Sequence, residues 1–384
     1  MMANFYQFRS ANRIFTGVGV VKTIKDNIHQ LPGDIKNVLI IAQPSMLKFG
    51  YVDTLQEALS SAGVTSAVRS DVTPEPTIHY VEEAVEEINQ EQYDAMIGIG
   101  GGSVLDVTKF FAVCHTNEQS VREMMGIEQI QKPGVPMILI PSTSGTGSEV
   151  TPNSILTLPE EELKVGVVSQ YFLPQQVYLD AALTLELPKP ITAATGMDAF
   201  THSLESYISN KANPLSDMFA MESMKLISDN ILEAYHNGKN ETARENMLLG
   251  SMLGGMALSA AGTAAVHAMA YPIGGSFGVT HGVANSMLLP HVMEFNYDAV
   301  EERLEMVAQE TSLSKSGNAN DVLESIQSLT AELEIPQDLR AFGVKEDDVS
   351  DLAAAASNVK RLMDNNPKQM SVKEIETIYR RLLL

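Results

Sequence analysis

Asp198 and His202 stand four residues apart in Gly196-Met197-Asp198-Ala199-Phe200-Thr201-His202, and His267 and His281 bracket a glycine-rich break further along. On a helix, a spacing of four sets the carboxylate and the imidazole on one face, one turn apart. One carboxylate and three neutral imidazoles form a ligand set that suits Fe(II), Zn(II) or another late first-row divalent ion. If the four converge, the ion they hold keeps positions for a substrate oxygen, and the chain is an enzyme.

Two loops in the first half have the chemistry to hold a phosphorylated cofactor. Gly98-Ile99-Gly100-Gly101-Gly102-Ser103 follows a strand-like run and precedes a helix-like one. Glycines there permit close backbone approach, and free N–H groups at a helix start attract a pyrophosphate. The run departs from the strict G-x-G-x-x-G form, because Ser103 stands where the third glycine would fall. Without a ligand it reads as a tight strand-to-helix turn. The second loop, Pro141-Ser142-Thr143-Ser144-Gly145-Thr146-Gly147-Ser148, offers hydroxyls to ribose and phosphate oxygens at a strand's carboxyl end. Read blandly, it is a hydroxyl-rich turn capping a helix. Lys164, the only lysine between Lys132 and Lys189, can offset phosphate charge or sit solvated on the surface.

The elements that must position these groups change character along the chain. Apolar runs at 37–42, 64–68, 93–99 and 135–141 read as strands, and 55–62, 77–89 and 104–114 carry helical spacing. That alternation predicts a Rossmann-like parallel sheet covered on both faces. Beyond about Leu187, Ala-, Met-, Leu- and Glu-rich segments such as 191–208, 214–235 and 241–261 predict an all-helical part. The expected domains are 1–187, binding nucleotide, and 188–384, binding metal. A surface loop is expected over 312–320.

With 384 residues, 44% hydrophobic and 19% charged, the chain has material for about two domains. A net charge of −22 disfavours nucleic-acid phosphates and anionic membrane surfaces as partners. The single cysteine, Cys114, excludes an intrachain disulfide, and a cytoplasmic protein is expected. Of the other histidines, His291 reads as structural or as support for the ligand set, and His29, His79, His115 and His236 as solvated.

With these residues in view, the chain resembles the iron-dependent (group III) alcohol dehydrogenases over nearly its full length. The matching blocks are 98–109 (GIGGGSVLDVTK), 141–151 (PSTSGTGSEVT), 194–207 (ATGMDAFTHSLESY) and 267–290 (HAMAYPIGGSFGVTHGVANSMLLP). The resemblance implies a nucleotide-binding α/β domain followed by a helical metal-binding domain. It also implies that Asp198, His202, His267 and His281 bind the metal. Gly100, Gly101, Gly102 and Ser103 would then hold the pyrophosphate, with Ser142, Thr143, Thr146 and Lys164 completing the dinucleotide site.

Two positions depart from the family pattern. Gln43 stands where many members carry an acidic residue against the ribose, and it cannot repel a 2′-phosphate. The choice between NAD and NADP is therefore open, with NAD kept as the expected dinucleotide. Tyr271 stands where several relatives place a histidine, and either relays a proton or walls the substrate pocket. The implied reaction interconverts a small alcohol and an aldehyde or ketone by hydride transfer, in a homodimer or higher homo-oligomer. The strand-like start Arg13-Ile14-Phe15-Thr16 is a candidate for pairing between subunits. The alternatives are a dehydroquinate synthase-like lyase or cyclase and a non-catalytic cofactor-binding relative. The first would need basic residues around the ligands. Residues 190–300 hold only Lys211, Lys225, Lys239 and Arg244, none beside them in sequence.

Overall fold

Short aliphatic runs separated by amphipathic stretches can bury themselves only as strands covered on both faces. The computed structural model describes residues 6–161 and 163–384. Its described residues divide into two compact units, Arg9–Thr143 with Gly147–Glu186, and Leu187–Leu384 with Ser144–Thr146 and residues 6–8.

The first of these is built on a six-stranded sheet. Its strands are β1 (Arg13–Thr16), β2 (Asn37–Ala42), β3 (Thr65–Arg69), β4 (Ala95–Gly100), β5 (Met137–Pro141) and β8 (Gln176–Leu179), in the order β1-β8-β5-β4-β2-β3. Every pair is parallel. Side chains alternate across it as the pleat requires. Val38, Ile40, Ile97 and Ile99 pack on one face with Leu55 and Leu59 of α1 (Tyr51–Ser61). Leu39, Ile41 and Met96 pack on the other, with Ile78 and Val81 of α2 (Ile78–Ile88) and Phe110 of α3 (Gly102–Cys114). The chain runs from β2 outward to β3 and then returns to place β4 on the other side of β2, so the order reverses there. The carboxyl ends of β2 and β4, at Ala42 and Gly100, flank this switch point, where open α/β sheets bind ligands.

Three strand assignments go beyond the sequence reading. β6 (Asn153–Leu158) and β7 (Leu163–Val168) form a separate antiparallel hairpin, and β8 is too short to give a periodic signal. The strand-like start, β1, pairs in parallel with β8 of its own chain, which leaves one β1 edge for any further partner.

No strand occurs among the described residues beyond Leu179. The helical unit contains α4 (Lys189–Ile208), α5 (Pro214–His236), α6 (Glu241–Ala261), α7 (Ala265–Phe277), α8 (His281–Glu310), α9 (Ala319–Glu332), α10 (Val349–Asn358) and α11 (Val372–Arg381). α4 is its centre, buried on every side from Gly196 to Ile208 and packed against α5, α6 and α8. A helix buried all round has no solvent face, so its polar residues are spread around it rather than gathered opposite an apolar stripe. The segment between α8 and α9 is the expected loop, closed by Ser314 and Ser316 hydroxyls on Asp321.

One buried charge cluster ties α3 to the hydroxyl loop and the hairpin. Lys109 is fully buried, and its Nζ donates to Ser148 Oγ at 2.7 Å, Asn153 O at 2.5 Å and Thr151 O at 3.2 Å. Asp106 receives Ser148 Oγ at 2.5 Å and Ile155 N at 3.0 Å. Burial lowers the Lys109 ammonium to about 8, against the pull of Asp106 and Glu149, and raises the Glu149 carboxyl to about 7. A carboxyl held above its ordinary 4.5 stabilises the fold below that pH and loses its contribution as pH rises through about 7. Glu149→Gln should therefore gain on the parent between pH 5 and pH 7.5, by on the order of 2 kcal/mol. Urea unfolding at both pH values measures this, and an unchanged difference would contradict it.

Candidate metal centre and dinucleotide loops

Three helices bring the expected ligands together. Asp198 and His202 lie one turn apart on α4, His267 is the third residue of α7, and His281 opens α8. One donor atom from each falls within 4.8 Å of all the others. The Nε2 atoms of His202, His267 and His281 stand 3.9, 3.9 and 3.8 Å from Asp198 Oδ1. Asp198, His202 and His267 are buried, whereas the His281 side chain keeps 25% of its surface, so the cluster is open on one side.

Local sequence explains this convergence. Gly278 ends α7 in the left-handed region at φ 65°, and α8 starts three residues later at His281. Gly282 then lies against α4 so closely that a Cβ there would stand 2.2 Å from Ala194 O and 3.3 Å from Asp198 Cβ. Any other residue would push the start of α8, and His281 with it, away from Asp198. Glu205, fully buried on the same face of α4, accepts His267 Nδ1–H at 2.5 Å and Val266 N–H at 2.6 Å. That bond places the ring proton on Nδ1 and turns the Nε2 lone pair inward, the usual support for a metal-bound histidine.

The charges fit a dication. Burial alone would raise the Asp198 carboxyl, but His202, His281, His267 and the Asn285 amide outweigh it and hold it below its ordinary value. Burial lowers the His202 imidazole despite the opposing pull of Asp198, so its neutral, ligating form is favoured. A carboxylate oxygen and three nitrogen lone pairs that face one another in a buried site repel unless a cation lies among them. The donor set therefore suits Fe(II) or Zn(II).

Tyr271 comes one turn after His267 on α7, and its ring centroid is 5.9 Å from that of His281. It packs with Ala268 and Leu362 beside the ligands. His291 lies away from the cluster, facing Glu294 and Arg381. His115 is half-buried, with its two ring nitrogens bonded to Asn89 Oδ1 at 2.9 Å and to Tyr93 N–H at 3.2 Å. Arg244, the one arginine between 190 and 300, is buried on Thr192, Gly238 and Leu187, where it holds the start of α4.

The dinucleotide residues gather at the sheet's switch point. Gln43 follows β2, and its Oε1 accepts Gly101 N–H at 3.0 Å. A Cβ on Gly101 would lie 3.5 Å from Gln43 Oε1 and 3.5 Å from Thr143 Cγ2, so the glycine leaves a narrow cradle between them. Ser142 N–H donates to Gly100 O at 2.9 Å, which holds the hydroxyl loop against the glycine loop. Gly102 and Ser103 begin α3, and Ser103 Oγ accepts the N–H of Glu75 at 3.3 Å. Lys164 pairs with the Glu75 carboxylate at 2.6 Å, and Glu75 is the residue whose N–H binds Ser103, so the lysine lies near the start of α3. Thr146 belongs to the tripeptide that clusters with the helical unit.

The supporting residues escaped the sequence reading. Glu205 is seven positions after Asp198 and three after His202, so helical spacing alone places it on their face. Glu75 carried no signal, because a lone carboxylate in a loop has no periodicity. Glu205→Ala should weaken metal binding by about 10–100-fold and Glu205→Gln by less, since the amide still accepts from one donor. Chelator competition measures both, and unchanged affinity in Glu205→Ala would rule out the supporting role.

Comparison with known proteins agrees with this arrangement. Residues 11–181 match the family model for iron-containing alcohol dehydrogenases, and residues 192–383 match that of the Fe-containing alcohol dehydrogenase family, C-terminal. The chain is 38% identical over 352 residues to long-chain-alcohol dehydrogenase 1 of Geobacillus thermodenitrificans, covering 90% of this chain and 89% of that protein. It superposes on the crystal structure of a 1,3-propanediol oxidoreductase with a TM-score of 0.94 at 34% identity, covering 99% of this chain and all of the other. A sulfoacetaldehyde reductase from Bifidobacterium kashiwanohense, solved in complex with NAD+, superposes with a TM-score of 0.89 at 27% identity and 99% coverage of each chain. The chain belongs to the iron-containing alcohol dehydrogenase family.

Proposed function

We propose that Asp198, His202, His267 and His281 hold one divalent iron or zinc ion with which this chain, as an NAD(P)-linked alcohol dehydrogenase and aldehyde reductase, interconverts a small alcohol and its carbonyl. Membership of the family makes it an oxidoreductase of this kind. The observation that carries the ligand assignment is the meeting of four donor atoms from three helices within 4.8 Å. When bound, the ion supplies Lewis acidity toward a substrate oxygen and the dinucleotide donates or accepts hydride at its nicotinamide.

The remaining work falls to the chain's own groups. Glu205 fixes the His267 tautomer and Gly282 sets the distance of His281 from Asp198. Tyr271 beside His281 offers a hydroxyl that can relay a proton or bound the substrate. In this reading residues 1–187 form the nucleotide-binding part and 188–384 the metal-binding part. Gly100, Gly101, Gly102 and Ser103 take the pyrophosphate, with Ser142, Thr143, Thr146 and Lys164 around them. With Arg244 spent inside the helical unit, no basic cluster favours a di-acid or sugar phosphate. A cytoplasmic homodimer is part of the same proposal, supported by the free edge of β1 and the lone, buried Cys114.

Metal-loaded protein mixed with NADH or NADPH and short aldehydes should lose absorbance at 340 nm. His267→Ala should lose both the ion and this activity while keeping its affinity for dinucleotide, because Gly100, Gly101, Gly102, Ser103, Ser142 and Thr143 belong to the other unit. Full activity in His267→Ala after chelation and dialysis would refute the ligand assignment. Gln43 sets the second test. Gln43→Glu keeps the acceptor for Gly101 N–H and adds a charge that repels a 2′-phosphate. Its KM for NADPH should rise about tenfold or more relative to NADH, a cost of about 1.4 kcal/mol, and an unchanged ratio would remove Gln43 from the ribose site.

A further inference from the structure

α4 and α8 each present two polar residues one turn apart to the same place. On α4 these are Asp198 and His202, and on α8 they are His281 and Asn285. Asn285 is fully buried. Its amide nitrogen stands 2.7 Å from Asp198 Oδ1, 3.2 Å from His267 Nε2 and 3.2 Å from His281 Nε2. One side chain thus touches three of the four donor atoms. The other end of the amide, Oδ1, is buried with no hydrogen-bond partner. An asparagine that served only packing would satisfy both ends or give way to leucine, because an orphaned buried carbonyl costs stability. The polar group has been kept where its N–H groups face the ligands.

We propose that Asn285 is a positioning residue of the metal centre, acting through Asp198. The proposal rests on the reading that Asp198, His202, His267 and His281 hold the ion. An imidazole nitrogen has one lone pair, so an Nε2 atom that ligates an ion has none left for the amide. A carboxylate oxygen has two, and Asp198 Oδ1 can ligate and still accept from Asn285. The 2.7 Å bond is also the shortest of the three contacts. It orients Oδ1 toward the three imidazole nitrogens. Glu205 holds His267 from one side and Asn285 holds Asp198 from another, so two of the four ligands have a named support.

The test compares parent, Asn285→Leu and His267→Ala proteins. Leucine shares the branching of asparagine at Cγ and lacks the donor, and the smaller Asn285→Ala serves if the bulkier leucine variant does not fold. Chelator competition with Zn(II) should show affinity reduced about 10–100-fold in Asn285→Leu, with NADH affinity and thermal midpoint close to the parent's. Visible spectra of the Co(II)-loaded proteins should keep the parent's band intensity, which reports the same number of ligands, with shifted band positions. Parent-like Zn(II) affinity in Asn285→Leu beside lost affinity in His267→Ala overturns the inference alone. A changed Co(II) band intensity also overturns it, because Asn285 would then be a ligand itself. Parent-like affinity in His267→Ala overturns both this inference and the four-residue reading beneath it.

Discussion

Asp198 Oδ1 faces three imidazole nitrogens inside a packed helical unit, and the geometry of the proposed metal centre follows from making that arrangement tolerable. A carboxylate buried to this depth would by itself take up a proton, yet the imidazoles and the Asn285 amide hold it ionised. Burial in turn disfavours the protonated form of the His202 imidazole. Such a set is stable when positive charge sits among its donors, which is the electrostatic definition of a metal site. Nothing in the individual residues demands this. Their mutual distances do.

Those distances are set by backbone packing more than by the ligands themselves. α4 is enclosed on all sides, so Asp198, His202 and Glu205 have no freedom to move outward. α8 reaches them only because Gly282 permits its first turn to meet the Ala194 carbonyl. α7 is turned by the glutamate that receives both the Val266 amide and the His267 ring. A helix end, a glycine and a buried carboxylate therefore do as much for the site as its four donors.

The sheet-based unit solves a different problem. A parallel sheet leaves its useful groups at the carboxyl ends of its strands, and the reversal between β2 and β4 separates two of those ends. Gln43 joins them with its backbone N–H on Ile99 O and its side-chain Oε1 on Gly101 N–H. The buried Lys109 holds Ser148 and the backbone of Thr151 and Asn153, so the segment after the hydroxyl loop is tied to α3. This helps explain the composition of the 98–109 block. Gly98 and Gly100 lie where a Cβ would strike Thr108 and Val104, and Asp106 and Lys109 reach the loop that follows β5.

Residue order alone determined the class of the fold and the identity of the donors. Alternating aliphatic runs and amphipathic helices predicted the parallel sheet, and the spacing of Asp198 with His202 marked one helical face. The glycine and hydroxyl loops were visible because their residue types are unusual at strand ends. Local pattern could not show what depends on distant segments. β8 has only four residues and no period of its own, and it becomes a strand by pairing with β1 and β5. The β6–β7 hairpin has one half-buried face, too weak a signal beside the continuous strands around it. Lys164 reads in sequence either as a phosphate partner or as a surface lysine, and its ion pair with Glu75, 89 positions away, has no local signal. Glu205 and Asn285 lie at helical spacing from the ligands, but carboxylates and amides at such spacing are common, and only their burial against Asp198 and His267 singles them out. Sequence carries periodicity over a few turns, whereas the contacts that make a donor into a ligand join residues from 62 to 87 positions apart, and those exist only once the helices have packed.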